Sequence, residues 1–258
     1  MVRDRQAVFD RFHIERIRRP QDLRGRFYLG RFTASQPEAM RVVGKSDVPI
    51  HELFVRLNPS KPLTGAEIRN AMSGPAPQLF RQIARHDLFL ENVAFTMTRG
   101  QDLNAAAKLL YFEYSGATKE TKKGSLDQFV TDSVRDTKGL ELAARKVVDV
   151  LDSMSEIFLP GDKLLSSAGV FAVYYWFIRS RSTGDFPFIR EFLVRLDSER
   201  RANRARATAD PNDEDLDQEL LQYDRLNRST GDVKSHEGRF RSLTRRFSKF
   251  ARQAAATP

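Results

Sequence analysis

The sequence predicts a mainly α-helical fold, an irregular helical bundle, and three observations predict it. Residues 139–159 carry apolar side chains that recur by threes and fours, which places them on one helix face. Residues 163–179 are apolar on almost every side, as expected of a helix that runs through a core. Runs rich in β-branched residues are few, and no segment repeats another. The face within 139–159 consists of Leu140, Ala144, Val147, Leu151, Met154 and Phe158.

The elements that precede this face are shorter. Residues 1–45 are Arg-rich and lack a long periodic pattern, so we expect a short helix with a loop or strand there. Helices are predicted over 50–57 and 65–73. Thr64 and Glu67 have the T-x-x-E spacing of a capping box, which would begin the second of these helices.

Prolines and polar stretches mark the remaining boundaries. Pro75 and Pro77 are expected to break the chain ahead of a helix over 78–85, and Pro160 is expected to end the long helix. Residues 200–213 are polar and lack apolar periodicity, which predicts a flexible linker. The other predicted elements are helices over 101–115, 125–135, 189–196, 213–227 and 239–252, with a turn over 182–185.

These patterns divide the chain into four regions. The regions are a basic N-terminal segment (1–45), a helical core (46–199), a flexible linker (200–213) and C-terminal helices with a basic amphipathic end (214–258).

The composition limits the classes of function. The chain has no cysteine, which excludes disulfides, thiol nucleophiles and zinc held by cysteine, and which fits a cytoplasmic location. The longest apolar run covers 168–178, well short of the roughly 20 residues that cross a bilayer, so no membrane partner is expected. The four histidines share no ligand spacing, no phosphate-binding loop motif is present, and no metal site is predicted.

The positive charge is concentrated at the two ends. Residues 1–31 hold nine arginines against four acids, and residues 228–258 hold eight basic residues against two acids, whereas the chain as a whole carries +9. A polyanion such as DNA would therefore meet the termini rather than the middle of the chain, or the basic ends serve solubility alone.

The final predicted helix, 239–252, is amphipathic. Its apolar face holds Phe240, Leu243, Phe247 and Phe250. Two interpretations are open. The helix packs on the core and leaves a solvated basic face, or its basic residues bind a partner subunit or the DNA backbone without reading sequence. The candidate phosphate contacts in this helix are Arg239, Arg241, Arg245 and Arg246.

One stretch, 54–71, carries most of the information on identity. Asn58 and Pro59 are typical of a helix end, and Thr64 then begins the next helix. Arg56 and Arg69 are interpreted either as structural hydrogen-bond donors or as phosphate ligands, and Glu67 as a cap rather than a catalytic base. The signature residues are Phe54, Arg56, Leu57, Asn58, Glu67, Ile68, Arg69 and Asn70.

The pattern F-x-R-L-N-x4-L-T-x2-E-I-R-N-A in this stretch resembles the GmrSD-type restriction endonucleases and their relatives, which are GmrS-like domains of unknown function with a ParB-like nuclease fold. The resemblance covers roughly residues 46–250. It continues through four shorter pieces: 99–104 (RGQDLN), 121–129 (TKKGSLDQF), 174–179 (YYWFIR) and 228–232 (RSTGD) followed by Arg241.

The resemblance implies a role in DNA restriction or phage defence, together with a D-G-Q-Q-R motif on an upstream ParB-like region. That motif, which the family associates with nucleotide hydrolysis or nuclease activity, has no match in this sequence. We therefore expect the helical half that follows such a region, with 1–45 at most a remnant of it. Catalysis by this chain alone is not expected.

Three hypotheses stay open on the sequence. The first is a GmrSD-like protein that acts on DNA or nucleotides with a separately encoded ParB-like or nuclease subunit. By resemblance alone, a nucleoside triphosphate and a divalent metal would be its cofactors, and nucleotide hydrolysis or DNA cleavage its activity. The second is a non-enzymatic helical module that binds nucleic acid or protein. The third is a truncated fragment.

Overall fold

The structure is a computed structural model that describes residues 14–17, 28–33, 36–42 and 62–255. The chain divides into two units, Met1–Leu63 and Thr64–Pro258. The division falls inside the signature stretch 54–71, just before the capping-box threonine.

The described part of the first unit is an antiparallel sheet. Its strands pair in the order β1-β3-β2, with Ile14 opposite Val42 and Tyr28 opposite Arg41. A strand was one of the expectations for 1–45, whereas the helix expected over 50–57 lies outside the described residues. The strands are β1 (Ile14–Ile17), β2 (Tyr28–Thr33) and β3 (Gln36–Val42).

The described part of the second unit is a helical bundle, which confirms the mainly α fold. Single turns of π or 3-10 helix connect some of the α-helices. The α-helices are α1 (Gly65–Asn70), α2 (Pro75–Ile83), α3 (Gln101–Ser115), α4 (Lys123–Asp132), α5 (Thr137–Ile157), α6 (Ala168–Arg179), α7 (Phe186–Ala209), α8 (Gln218–Leu226) and α9 (Val233–Ala255).

The core lies where α3, α5 and α6 pack against one another. The face predicted on α5 is buried at every position, because a period near 3.6 keeps those residues on one side of the helix. Helix α6 is buried over almost its whole surface, as its apolar sequence predicts. The bundle therefore forms around the two helices that the sequence identified most clearly.

Two predicted boundaries are wrong. Helix α2 begins at Pro75 instead of after Pro77, since a proline in the first helical turn loses no hydrogen bond by lacking an N–H group. The flexible linker predicted over 200–213 is helical as far as Ala209. Arg200 and Asn203 are buried there against polar partners, so this part of α7 packs without an apolar stripe.

The C-terminal helices also differ in extent from the prediction. Helix α8 starts at Gln218 rather than at 213, because the Asp217 side chain accepts a hydrogen bond from the Leu220 N–H group and caps it there. The last helix packs on the core, with Phe247 in edge contact with the rings of Phe177 and Phe192. In the part of the chain described, no helix has the length and apolar character of a membrane span.

Leu151→Ala in α5 should lower the free energy of unfolding by about 2–5 kcal/mol, because the side chain is fully buried and its loss leaves a cavity. Leu142→Ala on the same helix is the matched control. Its side chain is 55% exposed, and we expect a change within about 0.5 kcal/mol. Urea unfolding of both variants measures the difference, and equal losses would contradict the packing described for α5.

Candidate functional site

The second half of the signature folds as the capping box that its spacing predicts. The Glu67 N–H donates to Thr64 Oγ1 at 3.2 Å, and the Thr64 N–H donates to Glu67 Oε2 at 2.7 Å. Burial raises the pKa of Glu67, but hydrogen bonds from Arg99 and Thr64 outweigh it and hold the pKa below its usual value. Glu67 is thus an ionised cap, which is the role expected of it.

Arg99, which belongs to the next motif, forms hydrogen bonds with both residues of this capping box. Its guanidinium donates to Glu67 Oε2 at 3.2 Å, and its carbonyl accepts from Thr64 Oγ1 at 3.0 Å. Arg99 holds a left-handed backbone (φ 59°), which is unfavourable for a residue with a side chain. Gly100 follows with φ 72°, and a Cβ there would lie 3.1 Å from Ala66, so this close approach requires glycine.

Arg69 is a buried structural residue, with 2% of its surface exposed. Its guanidinium donates to Asp127 Oδ1 at 2.9 Å and to Asn104 Oδ1 at 2.5 Å. Asp127 also accepts from Lys123 at 2.6 Å. The expectation that Arg69 binds phosphate is therefore corrected: its charge is paired with Asp127, and its other amino group donates to the neutral amide of Asn104.

The other signature residues differ in their surroundings. Asn70 accepts hydrogen bonds from Arg81 through both its side chain, at 2.7 Å, and its backbone carbonyl, at 3.2 Å. Ile68 is partly buried on α1. The remaining four, Phe54, Arg56, Leu57 and Asn58, lie outside the described residues.

The pieces that begin at Thr121 and Arg228 also meet each other. The Thr121 N–H donates to the Gly231 carbonyl at 2.7 Å. Lys122 forms ion pairs with Asp232 and, at 2.7 Å, with Glu120. Segments more than 100 residues apart are thus joined by backbone and side-chain contacts.

His236 completes this second group as a neutral imidazole. Its Nε2 lies 3.1 Å from Thr121 Oγ1, and its Nδ1 lies 3.5 Å from Arg239 Nη2. Because a guanidinium only donates, Nδ1 is assigned as the acceptor and Nε2 as the donor. Burial, and then the charges of Arg239 and Lys108, lower the pKa of His236 to about 3, against the opposing charge of Asp232.

Lys108, on α3, lies near both Arg69 and Arg239. It is 6% exposed, and burial together with the nearby charges of Arg239 and Arg69 lowers its pKa to about 8. Among the described residues it forms no hydrogen bond or ion pair. Lys108 is therefore a buried amine close to two buried guanidinium groups.

The arginines of the last helix divide by exposure. Arg239 is fully buried and donates to the carbonyls of Ser235 and Gly169 and to Asn227 Oδ1, so it is not available to a DNA backbone in this structure. Arg246 is largely buried in ion pairs with carboxylates, including that of Asp217.

Arg241 and Arg245 are the two candidates that stay on the surface. Arg241 is exposed and has no ion pair within the described region. Arg245 is exposed and pairs with Glu219 at 2.6 Å. Of the four arginines predicted as phosphate contacts in this helix, two are thus on the surface.

Sequence reasoning missed several residues of the site. Asn104 and Asp127 were part of the motif pieces, but nothing in the sequence paired them with Arg69. Lys108 carried one signal, a lone charge inside the apolar run of 105–112. Within the described residues, no group of three or more His, Cys, Asp or Glu side chains is placed to hold a metal ion.

Comparison with known proteins found no relative: no family model, no curated protein and no solved structure matches the chain.

Asp127→Ala should destabilise the protein by about 3–5 kcal/mol, because it leaves the buried Arg69 guanidinium without its counter-charge. Lys123→Ala removes the exposed partner of the same carboxylate and should cost at most about 1 kcal/mol. Chemical denaturation compares them. Similar losses for the two variants would show that Arg69 does not depend on Asp127.

Stability should fall as the pH is lowered from about 6.5 toward 3. The unfolded chain binds a proton on His236 near its ordinary pKa of 6.5, whereas the folded chain holds the ring neutral down to about 3. His236→Gln should flatten this part of the pH profile, which urea midpoints measured across the range would show. An unchanged slope would mean that His236 is not held neutral.

Proposed function

We propose that this chain is a GmrSD-like protein of DNA restriction or phage defence, that it acts in the cytoplasm, and that its helical unit contributes binding rather than catalysis. Nucleotide hydrolysis or DNA cleavage would then come from a separately encoded ParB-like or nuclease subunit. The observation that carries the proposal is the convergence of the signature pieces around α3.

The convergence is specific in its contacts. Arg69 joins the first signature piece to the second and third, through Asn104 and Asp127. Thr121 joins the third piece to the last, through Gly231. Residues that share only a place in a linear sequence pattern are not expected to contact one another in the fold. Their contact supports the view that the pattern describes one structural unit.

The binding surface we assign to DNA is an exposed stripe on α9. Arg241, Arg245, Lys249 and Arg252 step by four, four and three residues, so they share one side of the helix, and all four are exposed. The stripe is about 16 Å long at 1.5 Å per residue, a length over which duplex DNA carries several phosphate charges. Such contacts give affinity without sequence preference.

A protein-binding module is the second candidate function. It is favoured by the exposed apolar side chains Leu142 and Val148, which lie on the outer side of α5. The DNA function is preferred because the stripe on α9 concentrates charge of one sign, and single exposed apolar residues are common on any surface.

The double variant Arg241→Glu with Lys249→Glu tests the DNA function. It should weaken binding of a short duplex by about tenfold or more at low salt and reduce the salt dependence by about two phosphate contacts. Deleting 228–258 is not a usable test, because α9 supplies core residues such as Phe247.

The matched control is Arg145→Glu with Lys146→Glu on α5, which makes the same change in charge at two exposed positions on another helix. Fluorescence anisotropy over a range of salt concentrations measures both. An equal effect in the control would assign the binding to net charge rather than to the stripe. Hydrolysis of a nucleoside triphosphate by the purified chain alone would contradict the assignment of catalysis to another subunit.

A further inference from the structure

We propose that a cavity formed by the start of α6, the second half of α7 and the end of α8 binds the phosphate group of a phosphomonoester. We call it the α6–α8 cavity. It lies away from the stripe on α9, and the proposal does not depend on the proposed function.

The cavity has the size and lining of a small-molecule site. Its volume is about 310 Å³, at the lower end of the range of roughly 300–1,000 Å³ typical of ligand pockets. The lining is almost entirely polar. It consists of Lys163, Leu164, Ser166, Ser167, Val170, Tyr174, Asp197, Arg200, Arg201, Arg204 and Asn227.

The charge of the cavity is positive. Four cationic side chains line it against one carboxylate, Asp197, which pairs with Arg201 at 2.6 Å. A second carboxylate, that of Asp224, does not line the cavity but pairs with Arg200 at 2.5 Å and with Arg204 at 3.3 Å. Lys163 has no ion pair in the described residues. Two positive charges are therefore left over, which matches the charge of a phosphomonoester near neutral pH.

One polar group at the cavity has no hydrogen-bond partner among the described residues. Tyr174 is 2% exposed and lines the cavity, yet its hydroxyl forms no hydrogen bond with any described residue. Burial raises the pKa of Tyr174, so the hydroxyl stays neutral and can donate. The hydroxyl keeps some access to solvent, so it can donate to water or to a ligand oxygen in the cavity.

Asn227 offers a second donor. Its Oδ1 accepts from Arg239 at 3.0 Å, which leaves its Nδ2 group to donate. Ser167 caps the 12-residue helix α6 by accepting from the Val170 N–H group, so the positive end of the helix dipole lies at the cavity.

These donors fit a phosphomonoester better than a carboxylate or a DNA backbone phosphate. A terminal phosphate brings three acceptor oxygens and a charge near two, whereas the other two groups carry one charge each. Inorganic phosphate and a nucleoside monophosphate share this chemistry, and the experiment distinguishes them.

Isothermal titration with each of these two probes tests the proposal. Tyr174→Phe and Lys163→Ala should each weaken binding of at least one probe by about tenfold, because each removes a direct contact with a charged ligand. Tighter binding of the nucleotide than of phosphate would assign the site to nucleotides, and equal binding would assign it to free phosphate.

Two variants serve as matched controls. Tyr223→Phe removes a buried hydroxyl that does not line the cavity and has no hydrogen-bond partner, and Arg195→Ala removes an exposed arginine elsewhere on α7. Both should bind as the unmodified chain does. The proposal is overturned if neither probe binds, or if binding survives in Tyr174→Phe and Lys163→Ala. Neither result would bear on DNA binding by the stripe on α9.

Discussion

Buried positive charge is the constraint around which this helical bundle is organised. Arg69, Arg200 and Arg239 are all largely removed from water, and each has polar partners inside the protein. A buried guanidinium is stable only where carboxylates, carbonyls or amides surround it. Meeting that requirement fixes how the helices are arranged, because the partners of each cation come from other segments of the chain.

The contacts of Arg239 show how this requirement positions the helices. One guanidinium on α9 donates to the carbonyl of Gly169 at the start of α6 and to Asn227 at the end of α8. Gly169 also lies so close to Thr230 that a Cβ there would be within 2.5 Å of it. The three helices are thus held at one point by a single polar side chain, in addition to the aromatic contacts of Phe247.

The sequence was informative wherever structure follows from apolar periodicity and local capping. The buried face of α5 and the capping box at Thr64 were predicted because both depend on residues a few positions apart. The continuation of α7 to Ala209 was missed because Arg200 is buried by pairing with Asp224, and a charge pair leaves no trace in an apolar pattern. The partners of Arg69 were missed because they lie 35 and 58 residues away along the chain, where no local pattern connects them to it.

Helix α7 has a mechanical consequence. It is one uninterrupted rod of 24 residues, about 36 Å long at 1.5 Å per residue. Its first half carries core residues such as Phe192, and its second half carries the arginines of the α6–α8 cavity. Because a continuous hydrogen-bonded helix does not bend cheaply at its middle, the two halves should open together in hydrogen exchange. The rim of the cavity therefore takes its rigidity from the aromatic core.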